Sequence, residues 1–159
     1  MRAFISHNSL DGEWVAHIKR ELTAFGVEAY IYEHDPQPGH PVVEKVQAEI
    51  RRSDVVIAFL TKNSAHAPFV HQEIGYAARS GKLVIPLIER GLPSDVLAML
   101  QGLEYVVFDL AEPQRGIDDL GVYLRKVGDQ RVRDELRLAI GVIVLVMVIA
   151  AMSSEGASG

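Results

Sequence analysis

The side chains best suited to chemistry fall in three short polar stretches, Ser6-His7-Asn8-Ser9, Glu33-His34-Asp35 and Thr61-Lys62-Asn63-Ser64, with Glu73 a little beyond the third. Each stretch follows an apolar segment of strand length. Hydroxyls, amides, imidazoles and carboxylates in such places can hold a polar ligand, and a carboxylate can stabilise a positive charge that develops during reaction. What is missing narrows the chemistry further. No Gly-x-Gly-x-x-Gly and no Gly-Lys-Ser/Thr follows a strand, which argues against a Rossmann dehydrogenase or a P-loop nucleotidase. The chain has no cysteine, hence no thiolate nucleophile, no disulfide framework and no Cys-based zinc site. Its six histidines lack zinc spacing, and His66 and His71, five apart, would lie on different faces of a helix. No metal site is expected. A net charge of −5 gives no basic footprint for nucleic acid.

The elements that must position these groups alternate in type. Arg2 to Ser6 reads as a short strand. Asp11 to Phe25 places Trp14, Ile18, Leu22 and Phe25 on one helical face and stops at Gly26. Val27 to Tyr32 is a second strand candidate, rich in β-branched and aromatic residues. The stretch Glu33 to Pro41 contains three prolines and a glycine and reads as a loop. Val42 to Arg52 is helical with Val43, Val46 and Ile50 inward. Val55 to Leu60 is the continuous apolar run of a central parallel strand. Pro68 suits the first turn of a helix that runs to Ser80 and closes at Gly81. Leu83 to Ile88 is a fourth strand, with Pro86 expected near its end. Tyr105 to Phe108 is a fifth, and Gly116 to Val127 a last, weaker helix. The alternation predicts an α/β fold, a doubly wound five-stranded parallel sheet of flavodoxin-like order. Ligands of such sheets bind beyond the carboxyl ends of the strands near the switch point, here between the first and third strands. All three polar stretches should open on that edge.

Several of these segments resemble the motifs of bacterial TIR domains. Phe4-Ile5-Ser6-His7-Asn8, then Asp11 and Trp14-Val15, are similar to the opening of that family. Asp35 with Pro38-Gly39 resembles its BB loop. Ser53-Asp54-Val55-Val56-Ile57 is similar to its third strand. Phe69-Val70-His71-Gln72-Glu73 matches the pattern Trp-Val/Cys-x-x-Glu with Phe in place of Trp, and Gly75, Ala77 and Val84-Ile85-Pro86 continue it. The resemblance covers about residues 2 to 128 and is loose after Ile88.

The resemblance implies an activity. Enzymatic TIR domains cleave NAD at the nicotinamide–ribose bond, as hydrolases or cyclases, and their catalytic residue is the Glu of this pattern, here Glu73. NAD is then the substrate, and no cofactor is expected. Nicotinamide in NAD is a cationic leaving group that departs neutral, so one carboxylate facing the ribose can suffice, whereas an O-glycosidase ordinarily needs a second carboxyl to protonate its leaving oxygen. Candidate substrate contacts are Ser6, His7, Asn8, Tyr32, Asp35 and Phe69. The bland readings stand beside them: Asn8 or Ser9 as a helix cap, Phe69 as rim packing and the 33–41 loop as a solvent loop. Trp14 reads as core. Other TIR domains are adaptors that only self-associate, and the 33–41 loop is the contact the resemblance implies. A nucleoside or nucleotide N-glycosidase on the same fold is a third possibility. A role in antiphage defence or cell-death signalling follows by analogy alone.

The end of the chain reads differently. Leu138 to Met152 is fifteen residues without a polar side chain, about 22 Å of helix against a hydrocarbon core of ~30 Å. Arg137 and the serines at 153 and 154 could extend it into the interfaces. The expected organisation is a TIR domain over 1–128, a basic juxtamembrane segment over 129–137, a transmembrane helix over 138–154 and a short tail over 155–159. Arg131, Arg133 and Arg137 precede the run and no basic residue follows it, so a single-pass membrane protein would keep the TIR domain in the cytosol.

Overall fold

In the computed structural model, residues 33–41, 65–66, 95, 97–99, 101–102 and 156–159 lie outside the described residues, as do the side chains of 141 and 144–155. The elements are β1 (Arg2–Ser6), α1 (Gly12–Leu22), β2 (Glu28–Tyr30), α2 (Val42–Arg52), β3 (Val55–Leu60), α3 (Pro68–Arg79), β4 (Leu83–Glu89), β5 (Val106–Phe108) and α4 (Pro113–Glu155). The strands pair in parallel in the order β2-β1-β3-β4-β5, the expected doubly wound arrangement. The chain divides into two compact units, Met1–Leu124 and Arg125–Gly159.

The first unit is built around β3. Every residue of that strand is buried, as a parallel strand covered on both faces must be. On one face Phe4 of β1 and Val56 of β3 meet Val46 and Ile50 of α2 and Ala77 of α3. On the other, Phe59 meets Phe108 edge-on with ring centres 5.2 Å apart, and Phe108 meets Trp14 of α1 at 5.4 Å. Ile117, Leu120 and Leu124 of α4 are fully buried. Each such aliphatic side chain contributes about 1.5–3 kcal/mol of transfer free energy.

A polar latch ties the carboxyl ends of β1 and β3 together. Asp11, 2% exposed, accepts from the Thr61 hydroxyl and the Asn63 side-chain amide, both at 2.7 Å. Ser64 closes the turn by accepting from the Thr61 N–H at 2.7 Å. A buried carboxylate with two donors stabilises the geometry it spans, because losing either donor would leave a desolvated charge.

Several boundaries differ from expectation. Pro86 lies in the middle of β4. β5 pairs only with Leu87–Glu89, so at Pro86 the strand is bordered on one side alone and the rule for edge prolines applies. Val43 is 54% exposed, because α2 turns it beyond the covered stripe. α1 is flanked by 3-10 turns at Ser9–Asp11 and Thr23–Phe25. Gly26 adopts φ 74°, the left-handed conformation that ends such a segment. The last helix neither starts at Gly116 nor stops at Val127. It runs from Pro113 to Glu155. A single glycine costs a helix only about 1 kcal/mol, and beyond it side-chain pairs such as Arg131–Glu135 at 3.4 Å and Asp134–Arg137 at 3.8 Å have the spacing of a continuing helix.

The expected membrane span over 138–154 gains no support. Among the described residues no helix is long and apolar enough to cross a membrane, and the side chains of 144–155 are outside that description.

Gly116 offers a test of this packing. A Cβ there would come 2.5 Å from the Val107 carbonyl oxygen, a backbone atom of β5 that cannot swing away. Gly116→Ala is therefore expected to cost about 1–3 kcal/mol despite its better helix propensity. At Gly75 a Cβ would meet only the flexible end of Arg79 at 3.7 Å, so Gly75→Ala should be neutral or stabilising by up to about 1 kcal/mol. Urea unfolding midpoints of the two variants check both signs.

Candidate functional site

Glu73 stands in the second turn of α3, and the helix packs it inward so that it is only 5% exposed. Ser6, the last residue of β1, is fully buried, and its hydroxyl donates to Oε2 of Glu73. Strand and helix thus meet where the switch point of the sheet lies.

The partners of the other buried carboxylates show how unusual this one is. Glu49 has Arg2 at 2.6 Å and Arg52 at 2.9 Å. Glu89 has the Lys62 ammonium at 3.3 Å and accepts from the Lys62 N–H at 2.9 Å. Asp11 has the two donors of the latch. Among the described residues Glu73 has Ser6 and no cation. Loss of water around it raises its pKa from 4.5 to about 7, and the Ser6 hydrogen bond offsets part of that rise. A carboxyl tuned to the neutral range, in a cleft, is a candidate for acid–base or electrostatic catalysis.

Glu73 borders a partly open cavity of about 230 Å³ between α2 and α3. Val43, Val46 and Ile50 of α2 and Phe69 of α3 make its apolar wall, and Gln47, Gln72, Tyr76 and Arg79 supply polar groups. A few convergent polar groups on an apolar wall are what a small-molecule site requires. The Arg51 guanidinium ties the helices together by donating to the Tyr76 hydroxyl.

A profile of the TIR domain family matches residues 3–120. The chain belongs to the TIR domain family. Comparison with curated proteins returns no match. Among solved structures, the TIR domain of a Toll-related receptor from Hydra magnipapillata is 19% identical, with a TM-score of 0.60 over 80% of this chain and 95% of that one. A CMP N-glycosidase from Clostridium botulinum is 18% identical, with a TM-score of 0.58 over 77% and 99% of the two chains. A prokaryotic SEFIR domain is 19% identical, with a TM-score of 0.54 over 76% and 95%. At these identities the likeness is one of fold.

Within the TIR domain, the residues singled out from the sequence separate into groups. Ser6, Glu73 and Phe69 come together, Ser6 on the carboxylate and Phe69, 39% exposed, on the cavity wall. His7, which follows Ser6 in the chain, is buried, with Nδ1 3.2 Å from the Ile5 carbonyl oxygen. Asn8 caps the 3-10 turn, accepting from the Leu10 N–H at 3.0 Å and donating to the Asn63 carbonyl at 3.1 Å. Tyr32 packs against the Phe4–Val46–Ile50 cluster, with the Lys45 ammonium 5.6 Å from its ring centre. Asp35 and the 33–41 loop lie outside the described residues. Gln47, Gln72, Tyr76 and Arg79 were not singled out. Tyr76 could have been found, since Phe69, Glu73 and Tyr76 are spaced four and three along one helix face.

The environment of Glu73 has a thermodynamic consequence. The folded protein holds this proton more tightly than the unfolded chain does. The stability it contributes is complete below about pH 4.5 and is lost as pH rises through about 7, to a total of about 3 kcal/mol. Glu73→Gln removes the titration, so this variant should gain on the wild type as pH rises across that window and should be the more stable protein at pH 8. Parallel denaturation series at pH 5 and pH 8 check the crossover.

Proposed function

We propose that this TIR domain cleaves the nicotinamide–ribose bond of NAD, with Glu73 as the catalytic residue. The observation that carries the reading is a single carboxyl, nearly buried, without a cation among the described residues, and facing a cavity at the ligand edge of the sheet. The C1′–N bond breaks with its electron pair going to the pyridinium nitrogen, so nicotinamide leaves neutral and the ribose is left as an oxocarbenium ion. The ionised Glu73 stabilises that charge and accepts a hydrogen bond from a ribose hydroxyl. Water then adds to C1′ and releases a proton, giving ADP-ribose. Addition of a nitrogen of the substrate's own adenine instead gives a cyclic product.

The Ser6 hydroxyl fixes the carboxylate's orientation and favours its charged form. Exclusion of water strengthens the field of Glu73 at the sugar, since a charge acts more strongly where the dielectric is low. Self-association, through the 33–41 loop that the family resemblance implicates, is the proposed means of activation. NAD turnover would then rise with protein concentration. A signalling role for the product belongs to the same proposal.

Glu73→Gln keeps size and most hydrogen bonding while removing the charge. Preorganised electrostatic contacts are worth ~10²–10³ in rate, so NAD consumption by concentrated protein, followed by mass spectrometry of the products, should fall at least about a hundredfold. A variant that is folded and retains most activity contradicts the assignment. Failure of the concentrated wild type to consume NAD favours instead an adaptor acting through TIR–TIR contacts.

A further inference from the structure

We propose that Arg79 is a specificity-determining residue that binds a phosphate on the 5′ side of the ribose facing Glu73, so that the site takes a ribonucleotide in preference to a free nucleoside. The proposal rests on the glycosidic reading above. Arg79 and Glu73 border the same cavity from opposite depths: Glu73 is nearly buried, and Arg79 is exposed. In a furanose, C1′ and C4′ flank the ring oxygen. A sugar that presents C1′ to the deep carboxylate can therefore direct its C5′ substituent toward the mouth.

The guanidinium is placed to meet it there. Arg79 is the last residue of α3, yet its side chain runs back along the helix, bringing Nη1 to 3.7 Å from where a Cβ on Gly75 would lie. Gly75 leaves that outer strip of helix bare, and the guanidinium occupies it, one turn nearer along the axis to the level of the inward-facing Glu73. Among the described residues Arg79 has no hydrogen bond or ion pair, whereas the carboxylates of Glu49, Glu89 and Asp109 each hold a cation. A second guanidinium, that of Arg51, reaches the cavity wall at the Tyr76 hydroxyl. Planar guanidinium groups match phosphate oxygens two at a time, and these are the stronger class of hydrogen bond.

Size agrees with this partition. The cavity, about 230 Å³, is smaller than the ~300–1,000 Å³ of sites that enclose a whole drug-sized ligand. It suits one sugar with its phosphate, and the remainder of a dinucleotide would project beyond the mouth.

Nicotinamide mononucleotide and nicotinamide riboside share a leaving group and differ by the 5′-phosphate, so they isolate the contact. The wild type should prefer the mononucleotide in kcat/KM by at least about tenfold, the strength of one charged hydrogen bond. In Arg79→Ala the ratio should fall toward one, through a higher KM for the mononucleotide, and Arg79→Lys should restore part of it. No preference in the wild type, or an equal loss on both substrates in Arg79→Ala, overturns the proposal. If the wild type cleaves neither compound, NAD itself is offered, and failure to consume it means that the glycosidic reading is what has failed. Calorimetric binding of ribose 5-phosphate then decides the phosphate site: weaker binding in Arg79→Ala supports it, and equal binding overturns it.

Discussion

A carboxyl group kept from water with one hydroxyl for a partner is the constraint on which the rest of the site depends. Burying an ionisable group without a counter-charge disfavours its charged form, and a protein can tolerate that only where the surrounding structure is held by other interactions. Here those are the apolar cluster of Phe4, Val46, Ile50, Val56 and Ala77 on one side of Glu73's helix and the Asp11–Thr61–Asn63 latch at the sheet edge. The same fold satisfies Glu49 and Glu89 with neighbouring cations. Local unfavourability at one carboxyl, surrounded by satisfied ones, is the pattern expected when stability has been traded for function.

The scaffold produces this arrangement with little special machinery. A parallel sheet brings the carboxyl ends of β1 and β3 side by side, with Ser6 in register with Ala58. The helix that follows β3 must return across the sheet, so its early turns pass over that edge. Pro68 starts it, and the spacing of Phe69, Val70, Glu73 and Ala77 decides which groups turn inward. Val70 and Ala77 anchor the helix to the core, and Glu73 lies between them on the same buried stripe. The Ser6 hydroxyl is the group of the sheet that meets it. Depth, orientation and proton affinity of the carboxyl follow from one helix register.

Much of this was legible in the residues and some was not. The uninterrupted apolar run Val55–Leu60 announces a central strand, and Arg2–Ser6 and Val42–Arg52 have the bounds expected from their patterns. Pro86 misled, because its tolerance depends on how short the neighbouring strand is, a property of the partner and not of β4. The helix end expected at Val127 misled as well, since the glycine that follows costs a helix only about 1 kcal/mol and the helix continues through it. At the site, the likeness of Phe69-Val70-x-x-Glu73 to a TIR motif pointed to Glu73, but its helix position suggested a cleft edge, not a residue 5% exposed. Asn8, two residues beyond Ser6, caps the 3-10 turn, one of the two roles its type and position suggested. Arg79 escaped notice because its relevance lies in a side chain that folds back over Gly75, a tertiary feature no local spacing announces.

The central claim is that Glu73 is a carboxyl whose environment holds it near neutrality, ready to act as a charge at a dry site. A ¹³C NMR titration of the glutamate side-chain carboxyls, with the Glu73 resonance assigned by its absence in Glu73→Gln, measures that property directly. The account requires a midpoint near 7. A midpoint near 4.5, the ordinary value for a solvated glutamate, would mean that water or an unrecognised cation reaches the carboxylate, and the electrostatic basis of the proposed chemistry would be gone.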